Sequence, residues 1–381
     1  MKCKLSDICS FRKGKVEVEN LNAKNYISTE NMLPNKCGIT EASSLPTVPL
    51  TQEYNSGDVL VSNIRPYFKK IWQAKYDGGC SNDVLVFVPK PNTDKDFLYY
   101  VLADDDFFTY SMATSKGTKM PRGDKTSIMQ YEVPLIDLQV QKKIASVLKA
   151  LDEKIKLNNE INNNLLEQAL TLYSTQFSTF ERNGCIGDYC PIKSGFAFKS
   201  SWWTHNGVKV IKIGSINQDN LNLLECSYVD KDKIDKAKDF EVGAGDLLIA
   251  MTGATIGKFA MVPYSSEILL VNQRVGKFFL GDNPIVKLPF IYCTLKQPEV
   301  YCEIVNRGQG SAQPNISASD IMSIPCAIPS QDAINDFNDT VQPLFELIIS
   351  NQRENQQLSK LRDSLLPKLM SGELDVSDIE I

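Results

Sequence analysis

A chain of 381 residues has room for two or three domains with cores of their own, and its balance of 43% hydrophobic and 23% charged residues is that of a folded chain, not a disordered one. A net charge of -5 gives the molecule as a whole no field that would draw it to DNA or anionic lipid, so any polyanion site has to be local. No apolar run approaches the roughly 18 to 20 residues of a membrane span, and the opening MKCKLSDICSF is too short and polar for a signal peptide; no membrane is expected, and the cytoplasm is the expected compartment.

From the N-terminus, short β-rich runs (DVLVS, NDVLVFV) alternate with Gly, Asn and Pro turns and lead into a helical stretch, DKDFLYYVLADDDFFTYSMA. That pattern predicts a compact α/β module over residues 1–134. Residues 135–182 read differently. There is no Gly or Pro from about 135 to 180, and apolar residues fall near heptad spacing at Ile144, Leu148, Leu151, Ile155, Leu165, Ala169 and Leu172, which predicts a long coiled-coil helix. At 1.5 Å per residue such a helix is a rod of roughly 60 Å. Residues 183–330 return to the first pattern (VKVIKI, GDLLIAM, then LPFIYCTLKQPEVYCEIV) and predict a second α/β module. Residues 331–381 predict a second long helix and a tail, with Leu344, Ile348, Leu358 and Leu365 on its stripe, interrupted by Pro343 near its start and Pro367 near its end.

The chain is a tandem duplication. GDVLVSNIRPYFKKI, from Gly57, aligns without a gap on GDLLIAMTGATIGKF, from Gly245, and SDICSFRKG answers GDYCPIKSG. Further on, Phe97/Phe290, Tyr99/Tyr292, Leu102/Leu295, Gly117/Gly310, Pro121/Pro314, Ile128/Ile321, Leu151/Leu344 and Ile155/Ile348 keep one constant offset. The asparagines Asn158 and Asn162 correspond to Asn351 and Asn355 at that same offset, where apolar residues are expected. One reading makes them the solvated face of an Asn-rich run. Because their positions repeat, the other is favoured: two helical stripes that meet at their asparagines, which fix register at some cost in stability. Each helix alone would leave an apolar stripe in water, so the fold class expected is α+β, with α/β modules on long antiparallel coiled-coil helices in a pseudo-twofold arrangement.

Catalytic signals are weak. GATIGKF looks like a phosphate loop, but Thr252 stands at the first glycine position and Phe259 follows Lys258, so the motif fails twice. The ten cysteines form no C-x-x-C pair and the chain has one histidine, so buried thiols are expected and no metal cluster. His205 lies in a turn-like THNGV, where a structural role is expected. Asp104, Asp105 and Asp106 could hold a metal, but a solvated helix end is the stronger reading. No catalytic residue, metal or cofactor is assigned.

The double unit resembles the specificity subunit of type I restriction-modification systems over essentially the whole chain. The resemblance is carried by QKKIASVLKALDEKI after the first module and LLPKLMSGEL near the C-terminus, with SGFAFKS, GDLLIAMTGATIGK and GQGSAQPNIS in the second module. The first module departs from that pattern, with NIRPYFKKI and SKGTKMPRGD in place of the last two runs. The resemblance implies a non-catalytic subunit with two target recognition domains, each reading half of a bipartite site in double-stranded DNA. It also implies two methyltransferase subunits on the helices and a restriction nuclease-translocase subunit as partners. The missing Asn/Asp-Pro-Pro-Tyr/Phe motif agrees with the lack of catalysis. A coiled-coil scaffold, or the specificity subunit of a related type II-like methyltransferase-nuclease, is the alternative.

On this reading the DNA-binding candidates of the first module are Arg65, Tyr67, Lys69, Lys70, Lys116, Lys119, Arg122 and Lys125. Those of the second are Lys193, Lys199, Lys258, Arg274, Arg307, Gln309, Gln313 and Asn315; the amides suit adenine and Arg274 suits guanine. Phe196, Phe198, Trp202 and Trp203 are expected in the core rather than against bases.

Overall fold

The structure is a computed structural model that describes residues 2–309 and 314–376. The chain forms two compact units, Met1–Glu153 with Leu358–Ile381, and Lys154–Gln357.

In the first unit, strands β1 (Cys9–Phe11), β2 (Val59–Ser62), β3 (Ile71–Gln73) and β4 (Val84–Pro89) make an antiparallel sheet in the order β1-β4-β2-β3. Both faces are covered, and the period of two sorts the side chains. Val59, Val61, Leu85 and Phe87 pack toward helices α1 (Lys95–Ala103) and α2 (Asp105–Ala113), whereas Leu60, Val84 and Val86 pack toward Ile27, Met32, Tyr54 and Cys80 beneath a second four-stranded sheet. The first turns of the long helix α3 (Leu138–Phe177) close this core with Ile144, Ala145 and Leu148, joined by Leu366, Leu369 and Met370 from near the C-terminus. Arg362 donates to Asp152 at 2.6 Å, and the Tyr100 hydroxyl donates to the other oxygen of the same carboxylate at 2.7 Å.

The second unit repeats the plan. Strands β5 (Ile192–Ser194), β6 (Leu247–Ala250), β7 (Phe259–Met261) and β8 (Val275–Phe278) stand in the order β5-β8-β6-β7, the same connectivity as in the first unit. Helices α4 (Leu288–Leu295) and α5 (Pro298–Gly308) cover Leu247 and Ile249, while Leu248 and Ala250 face the other way. A five-stranded sheet, built around Val208–Ile211, flanks them. Phe196, Phe198, Trp202 and Trp203 pack on one another beside Val210 and Leu270.

The repeated Gly-Asp has a physical reason. Gly57 and Gly245 adopt φ of 93° and 85°, which a glycine tolerates, and the next residue caps the turn: Asp58 accepts from Asn55 N at 2.8 Å and Asp246 from Gly243 N at 2.9 Å. Each carboxylate is then neutralised by its own unit's cation, Arg12 for Asp58 at 2.9 Å and Lys277 for Asp246 at 2.9 Å.

Within the second unit, α3 and helix α6 (Gln331–Ser371) run antiparallel. Asn158 donates to Asn355 at 2.9 Å and to Glu354 at 2.6 Å, and Asn351 donates to Asn162 at 2.8 Å. Asn355 in turn donates to Asn159 at 2.9 Å. Asn158 is 1% exposed, so a polar layer interrupts the apolar packing here. Beyond it, Leu165, Ala169, Tyr173 and Phe177 pack with Phe337, Val341, Phe345 and Ile348.

Two details differ from the sequence expectation. Leu172 is 36% exposed, and Tyr173 takes the buried position; a helix of 3.6 residues per turn drifts off a 3.5-residue stripe, so the contact continues at fourth-residue spacing after Ala169. Pro343 and Pro367 also fail to interrupt α6, which is continuous through both. Each proline removes one backbone donor, and the neighbouring Phe345, Ile348, Leu366 and Leu369 bury enough apolar surface to hold the turn.

Candidate nucleic-acid interface

In the first unit two turns lie against each other at the end of β2. Arg65 N donates to Pro121 O at 2.8 Å and Gly123 N to Asn63 O at 3.2 Å, with an antiparallel bridge between Ile64 and Arg122. This brings Arg65, Tyr67, Lys69 and Lys70 beside Lys116, Lys119, Arg122 and Lys125, although the two stretches are some fifty residues apart in the sequence.

Many of these cations are already engaged. Lys116 donates to Asp124 at 2.5 Å, and that ammonium, with the Ser127 backbone and hydroxyl, holds the Asp124 carboxyl down at about 2. Arg122 lies 3.2 Å from Asp83. Lys69 and Lys36 both pair with Asp105, at 2.7 and 2.8 Å; burial works against the Asp105 charge, but the two ammoniums keep its carboxyl below the ordinary value. Lys70 donates to Thr29 O at 2.7 Å, and burial pushes its ammonium down. Lys125 rests 6.0 Å from the Phe11 ring centre. Arg65, Lys119 and Lys125 have no ion-pair partner among the described residues, and Arg65 Nε is buried without a hydrogen bond.

The backbone here is strained. Arg65 and Lys69 both have φ of 50°, in the left-handed region that costs an L-residue roughly 1 to 2 kcal/mol.

The second unit builds the same pair of turns. Gly253 N donates to Pro314 O at 2.9 Å, Ile316 N to Met251 O at 2.9 Å, and Thr252 bridges Asn315, bond for bond the arrangement around Arg65. The two left-handed positions are glycines, Gly253 and Gly257, at φ of 72° and 81°. GATIGKF is therefore the exit of β6 and a tight turn, as its glycines and the failed phosphate motif suggested. Arg274 and Asn315 project from the exposed rim of a groove of about 930 Å³, which Ser194, Thr252, Gln273 and Ser317 also line.

Gln273, also on this groove, has no signal in the sequence beyond its place beside Arg274 in the polar run after Val271. Lys199 is exposed, Lys258 is half-buried, and neither has an ion-pair partner among the described residues. Lys193 sits 4.9 Å from the Phe279 ring centre. Arg307 is committed to Glu303 at 2.9 Å and to Ser323 at 2.7 Å. Gln309 is exposed at the end of α5, and Gln313 lies outside the described residues.

The remaining candidates for chemistry have local roles. Asp104 caps α2 by accepting from Asp106 N at 3.0 Å, Asp105 holds the two lysines, and His205 is exposed in the turn after Thr204. Among the described residues no three His, Cys, Asp or Glu side chains are grouped to hold a metal, and no helix is long and apolar enough to cross a membrane. Most of the cysteines are buried, and no disulfide joins any of them among the described residues.

Comparison with known proteins adds the family. The model described as "Type I restriction modification DNA specificity domain" matches twice, over residues 1–167 and 179–360. The chain is 24% identical over 451 aligned positions to the specificity subunit of the type I restriction enzyme HindI of Haemophilus influenzae, covering 92% of this chain and 94% of that one. It is 28% identical to the MjaIX specificity subunit of Methanocaldococcus jannaschii, with 77% of this chain and 72% of the relative covered. The crystal structure of a type I restriction-modification S subunit from M. genitalium shares the fold, with a TM-score of 0.54 at 18% identity over 97% of this chain and 96% of that one.

Proposed function

We propose a role that proceeds from one premise: the chain belongs to the type I restriction modification DNA specificity family. It is the sequence-specific DNA-recognition subunit of a type I restriction-modification complex, with one reading module per half-site. The observation that carries this is the pair of bridged turns. Both units hold the same backbone at the end of the same strand, with the same three contacts, and differ in the side chains they present there. A constant scaffold with variable tips is what a two-part reader requires, because phosphate contacts fix its position and base-edge contacts specify the sequence.

In the second unit Arg274, Gln273 and Asn315 read base edges, and Lys193, Lys199 and Lys258 take phosphates. In the first, Arg65 reads bases while Lys119 and Lys125 take phosphates; Lys69, Lys70, Lys116 and Arg122 mainly hold the turns together. Methyl transfer and cleavage belong to partner subunits, and the paired helices offer the methyltransferase subunits their docking surface.

The test is to co-express the chain with its methyltransferase subunit and map methylated positions by long-read sequencing. Replacing residues 183–330 by the corresponding segment of a relative should change one half-site and leave the other intact. If both halves change, or neither does, the two-reader assignment is wrong.

A further inference from the structure

The first unit carries an apolar feature that charge-based recognition does not use. Between the left-handed residues Arg65 and Lys69 stand Tyr67 and Phe68, 48% and 37% exposed, with ring centres 4.6 Å apart. The facing turn carries Met120, 47% exposed, one residue before the Pro121 carbonyl that accepts from Arg65 N. Three large apolar side chains in water are costly; Arg65 and Lys119, which have no ion-pair partner among the described residues, adjoin them in the chain, and Lys70 Nζ lies 5.7 Å from the Phe68 ring centre.

The second unit shows that exposure is not forced by the turn itself. In the gapless alignment Ile256 matches Phe68, and it is only 7% exposed. It tucks against Gly308, where a Cβ would come within 2.8 Å of the Ile256 side chain. At the corresponding place the first unit has Ser115 in place of a glycine. The aromatic pair is thus presented outward on a backbone held in a strained conformation.

We propose that Tyr67 and Phe68, with Met120 on the facing turn, form a wedge that enters a base step of the half-site read by the first unit and unstacks it, while Arg65 reads an adjoining base edge and Lys119 and Lys125 hold the flanking phosphates. The proposal rests on the DNA-recognition reading above and gives it a mode: this half-site is read partly through deformability, favouring a flexible pyrimidine–purine step. The occupant is double-stranded DNA because cations flank the apolar tip, Arg65 and Lys119 in the chain and Lys70 over the Phe68 ring, and an inserted step buries all three side chains where a single thymine methyl would cover one.

The test uses the complex with its methyltransferase subunits and duplexes carrying the methylation-mapped target, with 2-aminopurine scanned through the first unit's half-site. Wild type should brighten 2-aminopurine at one step. The double variant Tyr67→Ala/Phe68→Ala should lose that signal and bind about tenfold or more weakly, in line with the loss of base stacking on an aromatic ring. Tyr67→Phe, which keeps the ring, should retain both signal and affinity. Neither side chain belongs to the buried cores of the first unit, so the double variant keeps its core. Flat fluorescence in a wild-type complex that still prefers the target over a scrambled duplex overturns the wedge and leaves the recognition reading standing. So does a thymine-to-uracil change that weakens binding as much as the double variant does, with no unstacking. A wild-type complex with no preference between target and scrambled duplex overturns both.

Discussion

The turn after β2 and the turn after β6 follow one backbone path with opposite chemistry. In the second unit the left-handed positions are Gly253 and Gly257, the conformation costs little, and the groove rim carries Arg274 and Asn315. In the first unit the same positions hold Arg65 and Lys69, and the strain is retained while the tip presents Tyr67 and Phe68. Retained strain together with exposed aromatic surface is unfavourable for folding alone, and the wedge proposed above would give it a reason. Shared backbone bonds, not shared side chains, define this turn in each unit.

Placing the first unit's residues into the second breaks the comparison most severely. Gly257→Lys puts a Cβ 3.1 Å from Val305 Cγ2 at φ of 81°, and it should cost about 2 kcal/mol or more in urea unfolding of the complete chain. Gly253→Arg has its nearest neighbour, Ile213 Cδ1, at 3.9 Å, so only the left-handed penalty of about 1 kcal/mol is expected. Equal midpoints for the two variants would show that crowding beside α5 plays no part. The reverse change, Arg65→Gly, should stabilise the chain by up to about 1 kcal/mol and weaken binding to the methylation-mapped duplex; a variant that loses stability would show that Arg65 is held by contacts rather than strained by them.

The smallest effect sharpens the assignment of cations. Lys119→Ala should lower the slope of log K against log salt by about 0.9, the value for one phosphate contact, and Lys116→Ala by distinctly less because Asp124 already neutralises that ammonium. The Asp124 carboxyl lies below its ordinary value, so its pairing is complete above about 3.8 and is lost only as pH falls toward about 2. The contrast between the two lysines should therefore be undiminished at neutral pH, and equal slopes would place Lys116 on the DNA.

The sequence by itself determined what is local or periodic. Two copies of one plan, the Gly-Asp turns, the helical stripes, and the correspondence of Asn158 and Asn162 with Asn351 and Asn355 were legible because turn chemistry and helical period are written in neighbouring residues. Antiparallel pairing followed from two apolar stripes that neither helix could bury alone. The mutual packing of Phe196, Phe198, Trp202 and Trp203 was legible for a similar reason, although only Trp202 is fully buried and the other three are half-covered. Only the tertiary structure decided which charges are free. Lys69, Lys116 and Arg122 look alike in a basic run, but their partners Asp105, Asp124 and Asp83 lie 36, 8 and 39 residues away, and spacing alone does not reveal the two distant ones. The left-handed turns at Arg65 and Lys69 were equally invisible, because local preference argues against them and only long-range bonds, Arg65 N to Pro121 O and Lys36 N to Lys69 O, hold them. Burial decided the rest: α6 runs through two prolines, and Tyr173 displaces Leu172, because packing against a neighbouring helix outweighs the preference of a single residue.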